Sequence, residues 1–410
     1  MSLCRYLPTP SDRMGILWSL LCIEGSVVLE YGPAGTTHYS VSLFGSLGVD
    51  QQNRLFTTHM SEDDVVMGDV SRLERALVEI DQAYVPRVIF VVASSVSAVI
   101  GTDLRGVCAY MQEKVRAHLI AFEQGGFRGD YSVGLRETYR LIAQHAVTPA
   151  NERVEGTYNL LGLSAGAYRA RSDRNEICRL MREAFGMEMR ACLCLDTDME
   201  TIEGCGAAEL NLVLRGEALP AAEILEKNCH TPCVAGMPYG YAGTLDWLHR
   251  VGAALGREPN GALVRELEAR HAEAAQMRMY GMMLKRDRPA ATLYGEYEMV
   301  RGLAGLLEET GIAPVNKISA HSLHALPERD PSVLHLPVEK ERIELMRGLH
   351  RQLVLADEVS HTLLDADNTF VCVSLPLVNG AQVATHMPIA GPRGADFILE
   401  HIGAYLDTLS

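Results

Sequence analysis

The sequence predicts an α/β protein of three similar units in series, each with helices and strands alternating around a parallel sheet. Three observations lead there. Short, mostly apolar runs rich in β-branched residues recur at Val27-Val28-Leu29-Glu30-Tyr31, Val88-Ile89-Phe90-Val91-Val92-Ala93 and Leu119-Ile120-Ala121-Phe122, as strands buried on both faces require. Each is followed by a loop of glycine and hydroxyl residues, and strands and helices then alternate as in a doubly wound unit. Breaks at Thr148-Pro149-Ala150-Asn151-Glu152 and at Pro289 divide the chain, with units expected over 1–147, 148–259 and 260–410.

In chain order, the proline-bearing segment Leu7-Pro8-Thr9-Pro10 leads to Ser11 or Asp12, either of which caps a helix with the apolar face Ile16, Leu17, Leu20 and Leu21. The first strand and its loop Gly32-Pro33-Ala34-Gly35-Thr36-Thr37-His38 follow. A helix near 39–47, a strand around Leu55-Phe56-Thr57-Thr58 and a helix over 71–83 come next. After Ala93 a loop runs from Ser94 to Asp103, and Asp103 caps a helix through Val107, Met111 and Val115. The third strand opens onto Gly125-Gly126-Phe127-Arg128-Gly129-Asp130-Tyr131. In an open parallel sheet these loops emerge at one carboxyl edge, where ligands bind.

The second unit is expected to hold Thr157-Tyr158-Asn159-Leu160-Leu161-Gly162, helices over 173–185 and 219–227, and strands near 189–195, 210–214 and 232–235. A helix from Asn260 to about Leu284 carries Leu263, Leu267, Ala274, Met277, Gly281 and Leu284 on one side, the pattern of a connector packed across units. The third unit starts with Ala290-Ala291-Thr292-Leu293-Tyr294 and a helix through Leu306. It closes with Phe370-Val371-Cys372-Val373-Ser374 and a helix from Gly394 to Leu409.

With 410 residues, 48% of them hydrophobic, the chain has enough apolar surface for several cores. A net charge of -15 argues against nucleic acid or an anionic membrane as partner, because both need clustered Lys and Arg. No apolar run approaches the roughly 20 residues of a bilayer span, and the first residues lack a signal-peptide pattern, so a cytoplasmic protein is expected. Its 10 irregularly spaced cysteines read as reduced thiols, many in the core, rather than a disulfide framework.

Several side chains are candidates for chemistry. Arg128 and Asp130 share a glycine loop at the predicted crevice, where they would hold a carboxylate and pass a proton, or form a structural turn. Thr36, Thr37 and His38 follow a glycine turn whose amides suit an anion, and equally suit a plain turn and helix start. Arg215, at a strand end, is a candidate clamp for an anionic ligand or an ordinary surface pair. Cys192 and Cys194 would share one strand face, and with Cys205, Cys229 and Cys233 read better as core than as a zinc site. His321 and His324 are candidate ligands on a turn, though a pair of loop histidines reads better as solvated. No phosphate-binding loop of the Gly-Lys-Ser type is present, so ATP hydrolysis by this chain is not expected.

Gly32-Pro33-Ala34-Gly35-Thr36, Val99-Ile100-Gly101-Thr102-Asp103-Leu104 and Gly126-Phe127-Arg128-Gly129 resemble, in order and spacing, signatures of the nitrogenase component 1 superfamily. Tyr158-Asn159-Leu160-Leu161-Gly162, Leu210-Asn211-Leu212-Val213-Leu214, Pro238-Tyr239-Gly240 with Thr244-Leu245-Asp246-Trp247-Leu248, and Gly391-Pro392-Arg393-Gly394 extend the resemblance over essentially the whole chain. It implies three Rossmann-like domains with parallel sheets around a central cleft and a homodimer or a pairing with a paralogous subunit. Electrons would come from a separate ATP-dependent iron–sulfur reductase. A bulky substrate, with a tetrapyrrole favoured, would be reduced in the cleft, and the alternative is a non-catalytic metallocofactor scaffold or carrier.

The resemblance also implies an interface iron–sulfur cluster, but the three places where relatives carry cysteines fall near Ser11, Thr36 and Ser95. Hydroxyls are poor ligands for such clusters. Cys4 and Cys22 are the candidates for displaced thiolates, or are ordinary free cysteines. The family's cofactor thiolate position is Arg215, so no covalently held molybdenum–iron cofactor is expected. His386 lies close to the family's cofactor-facing histidine, as a donor or axial ligand, one residue short in spacing.

Overall fold

The structure is a computed structural model that describes residues 4–5, 9–38, 54–150, 152–283, 288–323, 326, 329–376 and 386–409, with backbone alone over 277–283. The expected helix near 39–47 and His324 lie outside these residues, as do the side chains of Met277, Gly281 and Leu284.

Strand Val88–Ala93 shows why the first sheet forms. All six residues are buried, and with side chains alternating across the sheet they feed two cores. Val88, Phe90 and Val92 pack toward the helices Asp12–Leu20 and Tyr131–His145. Ile89, Val91 and Ala93 pack toward Ser71–Tyr84 and Leu104–Met111. Each large side chain so buried is worth about 1.5–3 kcal/mol. The strand pairs in parallel with Ser26–Tyr31 on one side and His118–Phe122 on the other, and Leu55–Thr57 adds to the outer edge of Ser26–Tyr31.

Two further parallel sheets follow. The second orders its strands Cys233–Ala235, Ala208–Val213, Val154–Leu161 and Glu188–Cys192. The third orders them Leu334–His335, Ala313–Ser319, Ala290–Gly295, Leu353–Ala356 and Thr369–Cys372. The fold is therefore α/β with three parallel-sheet layers, as expected. In each of these three sheets the first strand in chain order lies inside, flanked by its successor on one side and a later strand on the other. That reversal of winding creates a crevice at the carboxyl ends of the two central strands, the usual ligand position in open sheets.

The second and third sheets share one continuous apolar core, with Leu160, Leu212, Trp247, Leu293, Leu355 and Ile398 all buried in it. The connector Gly261–Met283 forms as expected, burying Leu263, Leu267 and Ala274 against Tyr241–Leu255, Tyr297–Glu309 and Gly391–Leu409. Ser94–Asp103 departs from the loop expected there. Ser94 accepts the Ser97 N–H and caps a short helix, Ser95–Val99, before Asp103 caps the next by accepting the Gly106 N–H at 2.8 Å. Strand Glu188–Cys192 ends before Cys194, which turns with φ +67° and so shares no strand face with Cys192.

Candidate functional site

Residues that follow strands of the second and third sheets meet in one buried cluster of charged side chains. Arg215 and Glu217 follow the central strand Ala208–Val213, Glu296 follows Ala290–Gly295, and His321 follows Ala313–Ser319. Tyr131 joins them from the first residue of its helix. The Arg215 guanidinium donates to Glu296 Oε2 at 2.5 Å, and the Tyr131 hydroxyl donates to Glu296 Oε1 at 2.9 Å. His321 Nε2 lies 3.8 Å from both Glu217 Oε1 and Glu296 Oε2. The Gly216 N–H donates to Glu298 Oε1 at 2.7 Å, and the Ser322 N–H to Asp130 Oδ2 at 2.5 Å. Residues from all three units thus meet in one network.

Glycine makes one approach possible. Gly162 has φ +107°, and a Cβ there would sit 2.7 Å from the Arg215 backbone nitrogen. The strand end carrying Arg215 therefore packs directly on the end of Val154–Leu161.

Burial sets the electrostatics. It pushes Glu217 up to about 7, with the neighbouring Glu298 adding to it, while His321 and Arg215 pull the other way. Burial alone would neutralise His321, but Glu217 and Glu296 reverse that and raise it above its ordinary value. Arg215 is likewise opposed by burial, yet held firmly charged by Glu296. The Tyr131 hydroxyl is raised by burial and by Glu296.

Beside the cluster lies a cavity of about 690 Å³, lined in part by Arg215, Tyr239, Arg250, Tyr297, Glu298 and Arg301. This is within the usual range for small-molecule and cofactor sites. Glu223 and Asp246 also reach it, so guanidinium and carboxylate groups are balanced in number. A bulky ligand with both donors and acceptors suits that lining better than a uniformly anionic one.

The other sequence candidates fall in separate places. Thr36 donates to Glu30 Oε1 at 3.1 Å and Thr37 to Glu30 Oε2 at 2.8 Å, while Arg13 pairs with the same buried carboxylate at 2.6 Å. Ser95 donates to the Gly125 carbonyl at 2.8 Å, and a Cβ on Gly126 would lie within 3.6 Å of both the Ser11 and Ser95 hydroxyls. The places where the resemblance implies cluster cysteines, near Ser11, Thr36 and Ser95, lie at the edge of the first sheet. They hold hydroxyls, with Thr36 and Ser95 bonded within the protein, and do not fit a thiolate-bound cluster. His38 is exposed on a helical turn over 34–38.

Asp130 is the cap of Tyr131–His145, accepting from the Ser132 backbone N–H at 3.0 Å and from its hydroxyl. Arg128 is exposed, and its backbone N–H donates to Asp12 Oδ2 at 3.0 Å. His386 is exposed on the turn ahead of Gly391–Leu409. Cys4 is exposed. Cys22 is buried, and burial pushes its thiol up to about 11, against the thiolate a metal needs.

His321 corrects a reading from sequence. Expected on a solvated loop, it is fully buried. Glu217, Glu296, Glu298 and Tyr131 were not singled out at all. The available signal was that glutamates follow strand-end glycines at Gly216-Glu217 and Gly295-Glu296.

Comparison with known proteins gives the family. Residues 11–406 match the family model described as nitrogenase component 1 type oxidoreductase. The nitrogenase iron-molybdenum cofactor biosynthesis protein NifE of Nostoc sp. is 26% identical over 398 residues, covering 93% of this chain and 79% of the relative. NifE of Klebsiella pneumoniae is 28% identical over 361 residues, covering 85% and 75%. Among solved structures, "Nitrogenase Cp1 at pH 6.5" superposes with a TM-score of 0.79 at 17% identity, over 99% of this chain and 94% of that chain, a likeness of fold. Matched along nearly its whole length, this chain belongs to the nitrogenase component 1 type oxidoreductase family.

Proposed function

We propose that this chain is a scaffold or carrier subunit, holding a bulky cofactor or ligand in the cavity between its second and third sheets rather than relaying electrons through a cluster of its own. The observation that carries this reading is the pairing of a roomy, charge-lined cavity at the strand ends with hydroxyls in place of interface thiolates. The relatives named for iron-molybdenum cofactor biosynthesis support it. Arg215, where the family's cofactor thiolate falls, supports non-covalent holding, since it offers a guanidinium and no sulfur.

A second reading keeps the chain in a nitrogenase-like reductase. There a paralogous subunit supplies thiolates, an ATP-dependent iron–sulfur reductase supplies electrons, and a tetrapyrrole is the favoured substrate. Exposed Cys4 favours it, being reachable from a partner.

The test is retention of isolated iron-molybdenum cofactor, incubated anaerobically with the full chain and followed by molybdenum and iron content after gel filtration. About one equivalent is expected to remain, and Arg250→Glu with Arg301→Glu, both on the cavity wall, should lower retention about tenfold. No retention, or retention indifferent to both substitutions, contradicts the carrier reading.

A further inference from the structure

Glu217, Glu296 and His321 turn one ligand atom each into the same buried space, and these atoms all lie within 4.8 Å of one another. Glu217 is fully buried, and neither of its carboxylate oxygens has a hydrogen-bond partner. Such a carboxylate, taken from water with no donor to replace it, requires either a proton or a cation. A second orphan, Glu298 Oε2, adds to the local excess of negative charge, against which Arg215 is the buried guanidinium.

The histidine is set up to ligate. His321 Nδ1 lies 2.9 Å from the Ser322 carbonyl, so the proton belongs there and Nε2, 3.8 Å from both glutamates, is left as the acceptor nitrogen. The Tyr297 N–H reaches Nε2 at 3.3 Å, a long contact that a cation would displace. Glu296 is held in place by Tyr131 on Oε1 and Arg215 on Oε2, the hydrogen-bonded support that ligating carboxylates commonly have.

We propose that Glu217, Glu296 and His321 bind a single divalent first-row transition cation at the junction of the three sheets. One imidazole with two carboxylates favours zinc, manganese or iron over magnesium and calcium, which prefer oxygen throughout. At bonds of about 2.0–2.2 Å, tetrahedral donors stand about 3.3–3.6 Å apart, so the 3.8 Å separations from His321 need only close slightly. The cavity whose wall includes Arg215, Tyr297 and Glu298 lies beside the site. The site stands whatever ligand the cavity takes.

The experiment is titration of the chelator-stripped full chain with Co²⁺, followed by absorption and thermal melting. One equivalent is expected, with visible d–d bands, no thiolate charge-transfer band and a raised Tm. Glu217→Gln or His321→Gln should weaken uptake about tenfold or more, while Glu188→Gln, a surface carboxylate, leaves it unchanged. The spectrum of the unsubstituted chain decides even where a variant fails to fold. A folded, stripped chain that retains no Co²⁺, a sulfur charge-transfer band, or full uptake by both site variants overturns the proposal.

Discussion

Glu217 and Asp173 are fully buried carboxylates, and their titration gives the chain an unusual pH dependence. Burial raises Asp173 to about 6 and Glu217 to about 7, above their unfolded values. An acid raised in the folded state binds its proton more tightly there, so stability is fullest below the unfolded pKa and declines as pH rises through the folded one. In metal-stripped protein, stability should therefore fall between about pH 4 and 7, and Glu217→Gln should flatten the upper part of that fall and stabilise at pH 8 by about 1–3 kcal/mol. Urea denaturation at several pH values measures this, and an unchanged slope would contradict it. Asp173 also accepts from the Ile389 and Ala390 N–H groups at 2.7 and 2.9 Å. Asp173→Ala orphans two buried donors and should cost about 2–4 kcal/mol, whereas Asp173→Asn, keeping a carbonyl acceptor, should cost less. Little of this was legible beforehand, because sequence reports a residue's type and not its burial. His321 looked like any loop histidine until the third sheet folded over it.

Helix Asp12–Leu20 crosses Tyr131–His145 at backbone distance. A Cβ on Gly15 would stand 2.1 Å from the Tyr131 carbonyl oxygen, and one on Gly134 would stand 1.8 Å from that of Asp12. Neither obstacle is a flexible side chain, so Gly134→Ala should destabilise by about 2–4 kcal/mol, read as a lowered urea midpoint. A wild-type midpoint would show that the helices separate freely. The first of these helices was readable from its apolar face, as were the capped helix after Asp103 and the connector. The second was not anticipated, although Asp130 caps it and Leu135, Tyr139 and Ile142 recur at helical spacing. The run Ser95–Val99 is too short for periodicity to show. Strand Ala313–Ser319 hides behind Pro314, Asn316 and Lys317, which weaken the apolar pattern.

At the scale of the molecule, residues of three units that sequence places only one by one meet at a single junction. Tyr131 bonds Glu296 across 165 residues of chain, and Arg215 bonds it across 81. Local pattern carries the sheets and their carboxyl edges, but such distant pairings depend on how the sheets pack. Arg215 was legible as a strand-end cation and not as the partner of Glu296. Among the described residues, no helix is long and apolar enough to cross a membrane. The central claim is that the first sheet's edge holds no cluster and the cavity holds the cargo. Its most direct test is iron and acid-labile sulfide content, with an electron paramagnetic resonance spectrum, on chain purified anaerobically alongside its co-expressed genomic neighbours. The account predicts that any cluster signal survives Cys4→Ser and Cys22→Ser and is lost with Arg250→Glu and Arg301→Glu. A redox-active signal abolished by either cysteine substitution, with the arginine variants intact, would establish a relocated electron-transfer cluster and contradict it.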